Sequence, residues 1–520
     1  MLGPQVASDL ELSTLTDHIP TSTPWGKELF LSGLTRCTNQ SAEIRSRQLP
    51  LLVWKTEPDA CQSTRSLLQT IDTTLLDDCF QTKDPRIEEQ ITQILWSKQS
   101  LGACLNTSPL LLNSVCVWKT ILMPLFAIVV PICLMLLPLV LQLTLCTDRD
   151  VERHVSDYLN TLRQVLMTHI RVPPLLQARH SNDHIGFALE TLFLGLTVAM
   201  FGVSIWNQIS TARHLRTIWF DMDTRGLAIH NLRSVVQATV TRIQSLPNHK
   251  QRGLRVLLQE GERALHTTAH LLSCDNVSAF GSAWNDATPI LALKDWIAKV
   301  DVLVSIASLP NICFPRTRTK IGIELVRAYH PNVPNCVPND FSLDSHCILT
   351  GPNRGGKSTF CKTVGLALLT AQSWGFAYAK RMSWSPFATI QTVLEPCGKL
   401  GVASTFEAEI EFANTVLALP DTPTFVMMDE IFHSTNAKDG VYASKVFLDR
   451  LYTRTNIVSV ISTHYTELAT HYKDVAVQTQ VVTKDDGKGN LTYTYTVREG
   501  ISDVSSVREI LHERGMLLAL

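Results

Sequence analysis

The run Gly351-Pro352-Asn353-Arg354-Gly355-Gly356-Lys357-Ser358-Thr359 limits the fold of this chain more than any other stretch. It fits G-x-x-x-x-G-K-[ST]. In that pattern glycines let backbone N–H groups wrap phosphates, the lysine reaches the β- and γ-phosphates, and the next hydroxyl ligates Mg2+. The pattern works only where a strand ends and a helix begins. Here "HCILT" before it is apolar and β-branched, and "FCKTVGLALLTAQ" after it reads as a helix. A second apolar run, "TFVMMDEI", ends in Asp429-Glu430. Beside a phosphate loop, Asp429 would hold Mg2+, directly or through water, and Glu430 would polarise the attacking water. A third run, "NIVSVIST", follows the acidic run after a helix-sized gap and ends at His464, where a γ-phosphate sensor would sit. A histidine after a strand is also a common structural residue. The alternation predicts an α/β parallel sheet with its site at the strand carboxyl ends.

A different feature stands upstream. From Ile121 to Cys146, "ILMPLFAIVVPICLMLLPLVLQLTLC", there is no charged side chain. At ~1.5 Å per residue the run makes about 39 Å of helix, enough to cross a ~30 Å hydrocarbon core with tilt. Pro124, Pro131 and Pro138 recur along it. Each would cost about 3 kcal/mol inside a soluble helix but is better tolerated in a membrane helix. A second uncharged run, Thr191 to Ala212, carries Gly195 and Ala199, which would let a partner helix approach closely. The pair predicts a transmembrane hairpin; two buried core helices are the alternative. Lys119, Arg213 and Arg216 flank the spans on one side, and Arg149, Arg153 and Arg179 on the other. Counting basic residues therefore leaves the orientation open. A need for ATP places the nucleotide site in the cytosol or nucleoplasm. Met1 to Phe30 show no basic stretch leading into an apolar core, so no secretory signal peptide is expected.

Length and charge bound the rest. A chain of 520 residues is too long for one ordinary core. A formal net charge of −1 excludes a general electrostatic sponge for nucleic acid, although a local basic face such as Lys250, Arg252 and Arg255 stays possible. The thirteen cysteines are scattered without a C-x-x-C, as expected of reduced thiols used as small apolar fillers.

The motifs together resemble one family. "TGPNRGGKST", "STFEAEI" with Ser404, Thr405, Phe406 and Glu409, "DEIFHSTNAKDG" with Ser434, Thr435, Asp439 and Gly440, and "THYTEL" with Thr463 to Leu468 stand in the order and spacing of the MutS family of mismatch-repair ATPases. Arg354 departs from the methionine usual there. Its side chain would either add charge near the phosphates or point to solvent. More faintly, Leu10-Glu11, Thr21 to Gly26 and Ile44 to Arg47 resemble the start of the family's helical core, and Trp296 to Leu309 its lever helix. The resemblance implies an ABC-like, MutS-type P-loop NTPase domain. It would be a Mg2+-dependent ATPase that sandwiches ATP between two subunits, with Ser404 acting in trans on the partner's γ-phosphate. It also implies a homodimer or a related MutS-like partner, and DNA as a possible ligand.

What the resemblance leaves out is equally specific. With the core-like segment starting near Ser8, no room is expected for the family's mismatch-reading and connector domains. The two apolar spans stand where its DNA clamp would be inserted. The expected organisation is therefore a core-like helical region at 1–114, a transmembrane hairpin at 115–212 with spans at 121–146 and 191–212, a helical lever region at 213–309 and the ATPase domain at 310–520. The expected protein is an integral membrane ATPase that touches lipid, related to DNA repair by resemblance. A membrane transport ATPase and a nucleotide-dependent scaffold with little turnover are the alternatives. Transport is disfavoured because two spans are few and "STFEAEI" stands where L-S-G-G-Q would be.

Overall fold

The computed structural model describes residues 2–81, 85–97, 100–145, 155–158, 160–161, 183–247, 252–394, 405–485, 491–514 and 516. Contacts divide the chain into two units. One comprises Met1–Ile71, Val235–Leu265 and Ala292–Leu520, and the other Asp72–Ser234 and His266–Leu291.

Among the described residues, the C-terminal part of the first unit carries ten strands: β1 (Arg316–Thr317), β2 (Ile323–Ala328), β3 (Asn339–Leu343), β4 (His346–Thr350), β5 (Arg381–Trp384), β6 (Thr389–Val393), β7 (Thr424–Met428), β8 (Ile457–Ser462), β9 (Val477–Asp485) and β10 (Leu491–Glu499). Six form a sheet in the order β10-β9-β4-β8-β7-β6, and four a smaller sheet, β1-β5-β2-β3. In the larger sheet every neighbouring pair is parallel except β9 with β10. The apolar runs noted in the sequence explain this. All residues of β4, β7 and β8 are buried, which requires cover on both faces, and a parallel sheet with crossover helices supplies it. Side-chain alternation sends Cys347, Leu349, Phe425, Met427, Val458 and Val460 into one cluster. Ile348, Val426, Met428, Ile457 and Ile461 enter another on the opposite face.

The stretch Thr21 to Gly26 leads into a helix. Thr23 caps the helix Pro24–Leu34 by accepting from Gly26 N at 3.1 Å. Asp301, fully buried in the helix Thr288–Ser308, accepts from Ser22 N at 2.9 Å, Thr23 N at 2.8 Å and the Thr23 hydroxyl at 2.7 Å. Burial raises the pKa of this carboxyl, and the hydrogen bonds oppose the shift. Gly26 is required by close approach, since a Cβ there would lie 2.4 Å from Asp301 Oδ2.

The second unit is helical where described. Its core joins Ile91, Leu95 and Leu112 to Leu215, Ile218 and Met222 of the helix Asp183–Ser245. The described part of the first apolar run lies in a π-helical turn and the helix Met123–Leu145 that follows it. The π-helical turn, Trp118–Leu122, stands just before Pro124. Proline would clash with the carbonyl four residues back, here Thr120, and the wider turn gives it room. Among the described residues one helix, Pro109–Cys133, is long and apolar enough to cross a membrane, and it starts earlier than the expected span. Leu110, Ile121, Leu125 and Phe126 on it are exposed. The second run, 191–212, falls within the helix Asp183–Ser245, where Leu192, Met200 and Trp206 are exposed. Most of the residues between the two apolar runs, and residues 486–490, lie outside the described residues.

Candidate functional site

β4 is central in the sheet, with β8 on one side and β9 on the other. The chain leaves its carboxyl end through Gly351 at φ 152, Arg354 at φ 64 and Gly356 at φ 99, and turns directly into the helix Lys357–Ser373. These left-handed angles are why glycine is needed at Gly351 and Gly356. Gly355 N donates to Pro352 O at 3.2 Å, and a Cβ at Gly355 would lie 3.0 Å from that same carbonyl. Asn353 and Thr359 line the cleft above this turn together with Pro352, Gly356 and Ser358. The helix presents the unbonded N–H groups of its first turn to that cleft.

Lys357 is 5% exposed, and its Nζ folds back to donate to Gly351 O at 3.0 Å and Pro352 O at 3.3 Å. Burial lowers its pKa, while the nearby Glu430 and Asp429 pull it back up. Parallel pairing of β7 with β8 sets Met428 opposite Ile461, which brings the residues after them together. The Ser358 hydroxyl donates to Asp429 Oδ2 and the Ser462 hydroxyl to Asp429 Oδ1. Asp429 N donates to Val393 O at 2.8 Å. Glu430 follows in a left-handed conformation, φ 52, with its N–H on Ser462 O at 3.0 Å. Its Oε1 meets His464 Nε2 at 2.5 Å. That bond is the first cause holding the Glu430 carboxyl below its ordinary pKa, against desolvation.

Gly351 through Thr359, Asp429, Glu430 and His464 are therefore gathered at the carboxyl ends of three neighbouring strands. Ser404 lies outside the described residues, whereas the helix that follows it, Thr405–Leu417, is described. That helix sends Glu409 to His433 Nδ1 at 3.2 Å and to the Ser434 hydroxyl at 2.9 Å. Arg354 pairs with Glu513 Oε2 at 2.5 Å, both side chains about half exposed. Sequence reasoning missed Ser462 and the His433–Glu409 pair. Ser462 was findable, because it closes β8, whose neighbour β7 leads directly into Asp429.

Chemically, the site pairs an oxygen donor set, one hydroxyl and one carboxylate, with a buried ammonium and a carboxylate–histidine couple. Residues 347–511 of this α/β unit match the family described as MutS domain V. The stretch spans the glycine turn, both acidic residues and His464.

The chain is also similar to curated proteins. It is 31% identical over 241 residues to DNA mismatch repair protein MutS of Thermotoga petrophila, covering 44% of this chain and 30% of that protein. It is 27% identical over 290 residues to DNA mismatch repair protein MutS 1 of Halobacterium salinarum, covering 54% and 32%. Against DNA mismatch repair protein msh3 of Botryotinia fuckeliana it is 28% identical over 282 residues, covering 46% and 25%. These matches show what part of this chain is similar to, and they span less than a third of each relative's length.

Proposed function

We propose that this chain is a Mg2+-dependent ATPase of the MutS kind. The observation that carries the reading is the closure of Ser358, Asp429, Glu430 and His464 around a glycine turn that holds a buried lysine. In this reading the turn from Gly351 to Thr359 binds phosphates through its N–H groups. Lys357 exchanges its two carbonyl contacts for the β- and γ-phosphates. The hydroxyl and carboxylate of Ser358 and Asp429 suit a hard, oxygen-seeking cation, and Mg2+ held there would neutralise developing phosphate charge. Glu430, oriented and kept ionised by His464, directs water in line with the γ-phosphate and takes its proton. His464 serves in this reading as the sensor of the γ-phosphate. A second copy or a related MutS-like chain completes the site, with Ser404 acting in trans.

The relatives' names support a role related to DNA mismatch repair, with DNA as a candidate ligand. The exposed apolar helix Pro109–Cys133 supports membrane attachment, with the apolar run at 191–212 as the second span of a hairpin and the ATP site on the cytosolic or nucleoplasmic side. The test is equilibrium binding of a fluorescent ATP analogue with Mg2+ to the full chain, repeated with matched and mismatched duplex. Binding that Lys357→Ala abolishes supports the reading, and equal binding by that variant overturns it. A duplex effect on nucleotide affinity supports the DNA role, and its absence removes it.

A further inference from the structure

The first residues of the chain are built into the edge of the six-stranded sheet. Gly3 N donates to Ile390 O at 2.8 Å, and Leu2 bridges Ile390 in parallel. Leu10 fills the space above Gly365, where a Cβ would lie 2.8 Å from Leu10 Cδ2 and equally close to Met427 Cε. Glu11 pairs with Lys362 at 2.5 Å on the helix that follows the glycine turn. Among these contacts sits Asp9, 3% exposed. Its Oδ2 accepts from the Thr392 hydroxyl at 2.6 Å and from Leu394 N at 3.2 Å. Thr392 and Leu394 bracket Val393, and Val393 O is the acceptor of the Asp429 N–H.

Burying a carboxylate is costly unless hydrogen bonds compensate, so its placement at this strand end calls for a reason beyond packing. β6 is the edge strand, with β7 beside it. Without an outer anchor its last residues would be free to fray, and the backbone of Asp429 would move with them. We propose that Asp9 is a positioning residue for the acidic pair. It fixes the end of β6, so that Val393 O holds Asp429 where its carboxylate meets both Ser358 and Ser462. The inference rests on the functional reading above and deepens it. The anchored segment also continues to Ser22 and Thr23, which Asp301 grips, so the helix Thr288–Ser308 and the acidic strand are joined through the N-terminal residues.

The test compares Asp9→Ala, Asp9→Asn and Thr392→Val in the full chain by amide hydrogen exchange and by ATP turnover. Asp9→Ala is expected to speed exchange about tenfold at 389–394 and at 424–430, leaving 477–499 unchanged. It is also expected to lower kcat about tenfold with KM for ATP within about twofold. Asp9→Asn keeps an acceptor oxygen and recovers most of both effects. Thr392→Val removes one of the two donors and falls between, which keeps the test informative if Asp9→Ala does not fold. The proposal is overturned if exchange rises only at 389–394, if it rises uniformly over the unit, or if kcat is unchanged while both segments loosen. A wild-type chain that binds no ATP sinks the ATPase reading instead, and the exchange data still decide whether Asp9 holds Asp429.

Discussion

Lys357 is 5% exposed and Leu110 is 82% exposed. Each inverts the usual partition, in which lysine faces water and leucine does not. At the sheet's carboxyl edge, charged and polar side chains bond one another: Lys357 is buried on two carbonyls, Asp429 is half-buried between two hydroxyls, and Glu430, also half-buried, meets an exposed His464. Along Pro109–Cys133, apolar side chains stand in the open. A buried charge persists when something will use it, and an exposed apolar stripe persists when something will cover it. In the first region the polar groups find their partners within this chain. The second is an apolar surface whose proposed cover is lipid.

The largest effect that can break this contrast is expected at the lysine. Lys357→Ala should abolish ATP turnover, by at least about 100-fold, and nucleotide binding with it, because among the described residues no other lysine lines the cleft at the glycine turn. Steady-state phosphate release and a binding titration check both. Glu430→Gln should separate the two activities, leaving binding intact and lowering turnover about 100-fold. If binding falls as far as turnover, Glu430 shapes the cleft and does not direct water.

The apolar region is sharpened by charge. Wild-type protein should stay with membranes through alkaline carbonate extraction. Leu125→Arg with Val129→Arg should move a clear fraction into the supernatant, since each arginine at mid-span costs about 3 kcal/mol. Wild type found in the supernatant would remove the membrane from the account.

The two regions differed in how legible they were in sequence. The glycine turn, Asp429-Glu430 and His464 could be named because the spacing itself encodes the geometry. Strand lengths and parallel pairing then leave those residues one place to meet. Asp9 could not be found that way. Its partners, Thr392 and Leu394, are remote in the chain, and nothing in "ASDLEL" marks a carboxylate as buried. Arg354 was left between phosphate and solvent, and the structure turns it toward Glu513. The apolar runs were legible as composition, but their start was not. Composition does not register that the helix begins at Pro109, before the uncharged run does.

A smaller effect tests the buried-polar side of the comparison away from the cleft. His346, at the start of β4, contacts the Ser459 hydroxyl at 2.9 Å and stacks on Tyr452, and burial lowers its pKa to about 4. Between about pH 6.5 and 4 the unfolded chain takes up a proton that the folded chain refuses. Stability should therefore be intact above pH 6.5 and fall by about 3 kcal/mol as pH drops to 4. His346→Gln should flatten that part of the thermal-unfolding profile. The smallest effect is expected at Arg354→Met. An exposed ion pair contributes little, so turnover should stay within about twofold of wild type.

The most direct measurement is Mg2+-ATP turnover by the full-length protein in lipid nanodiscs, with Lys357→Ala as the blank. Phosphate release by wild type that the blank lacks is the result this account requires. Equal release from both proteins, or none from either under conditions where the wild type is folded, would contradict it.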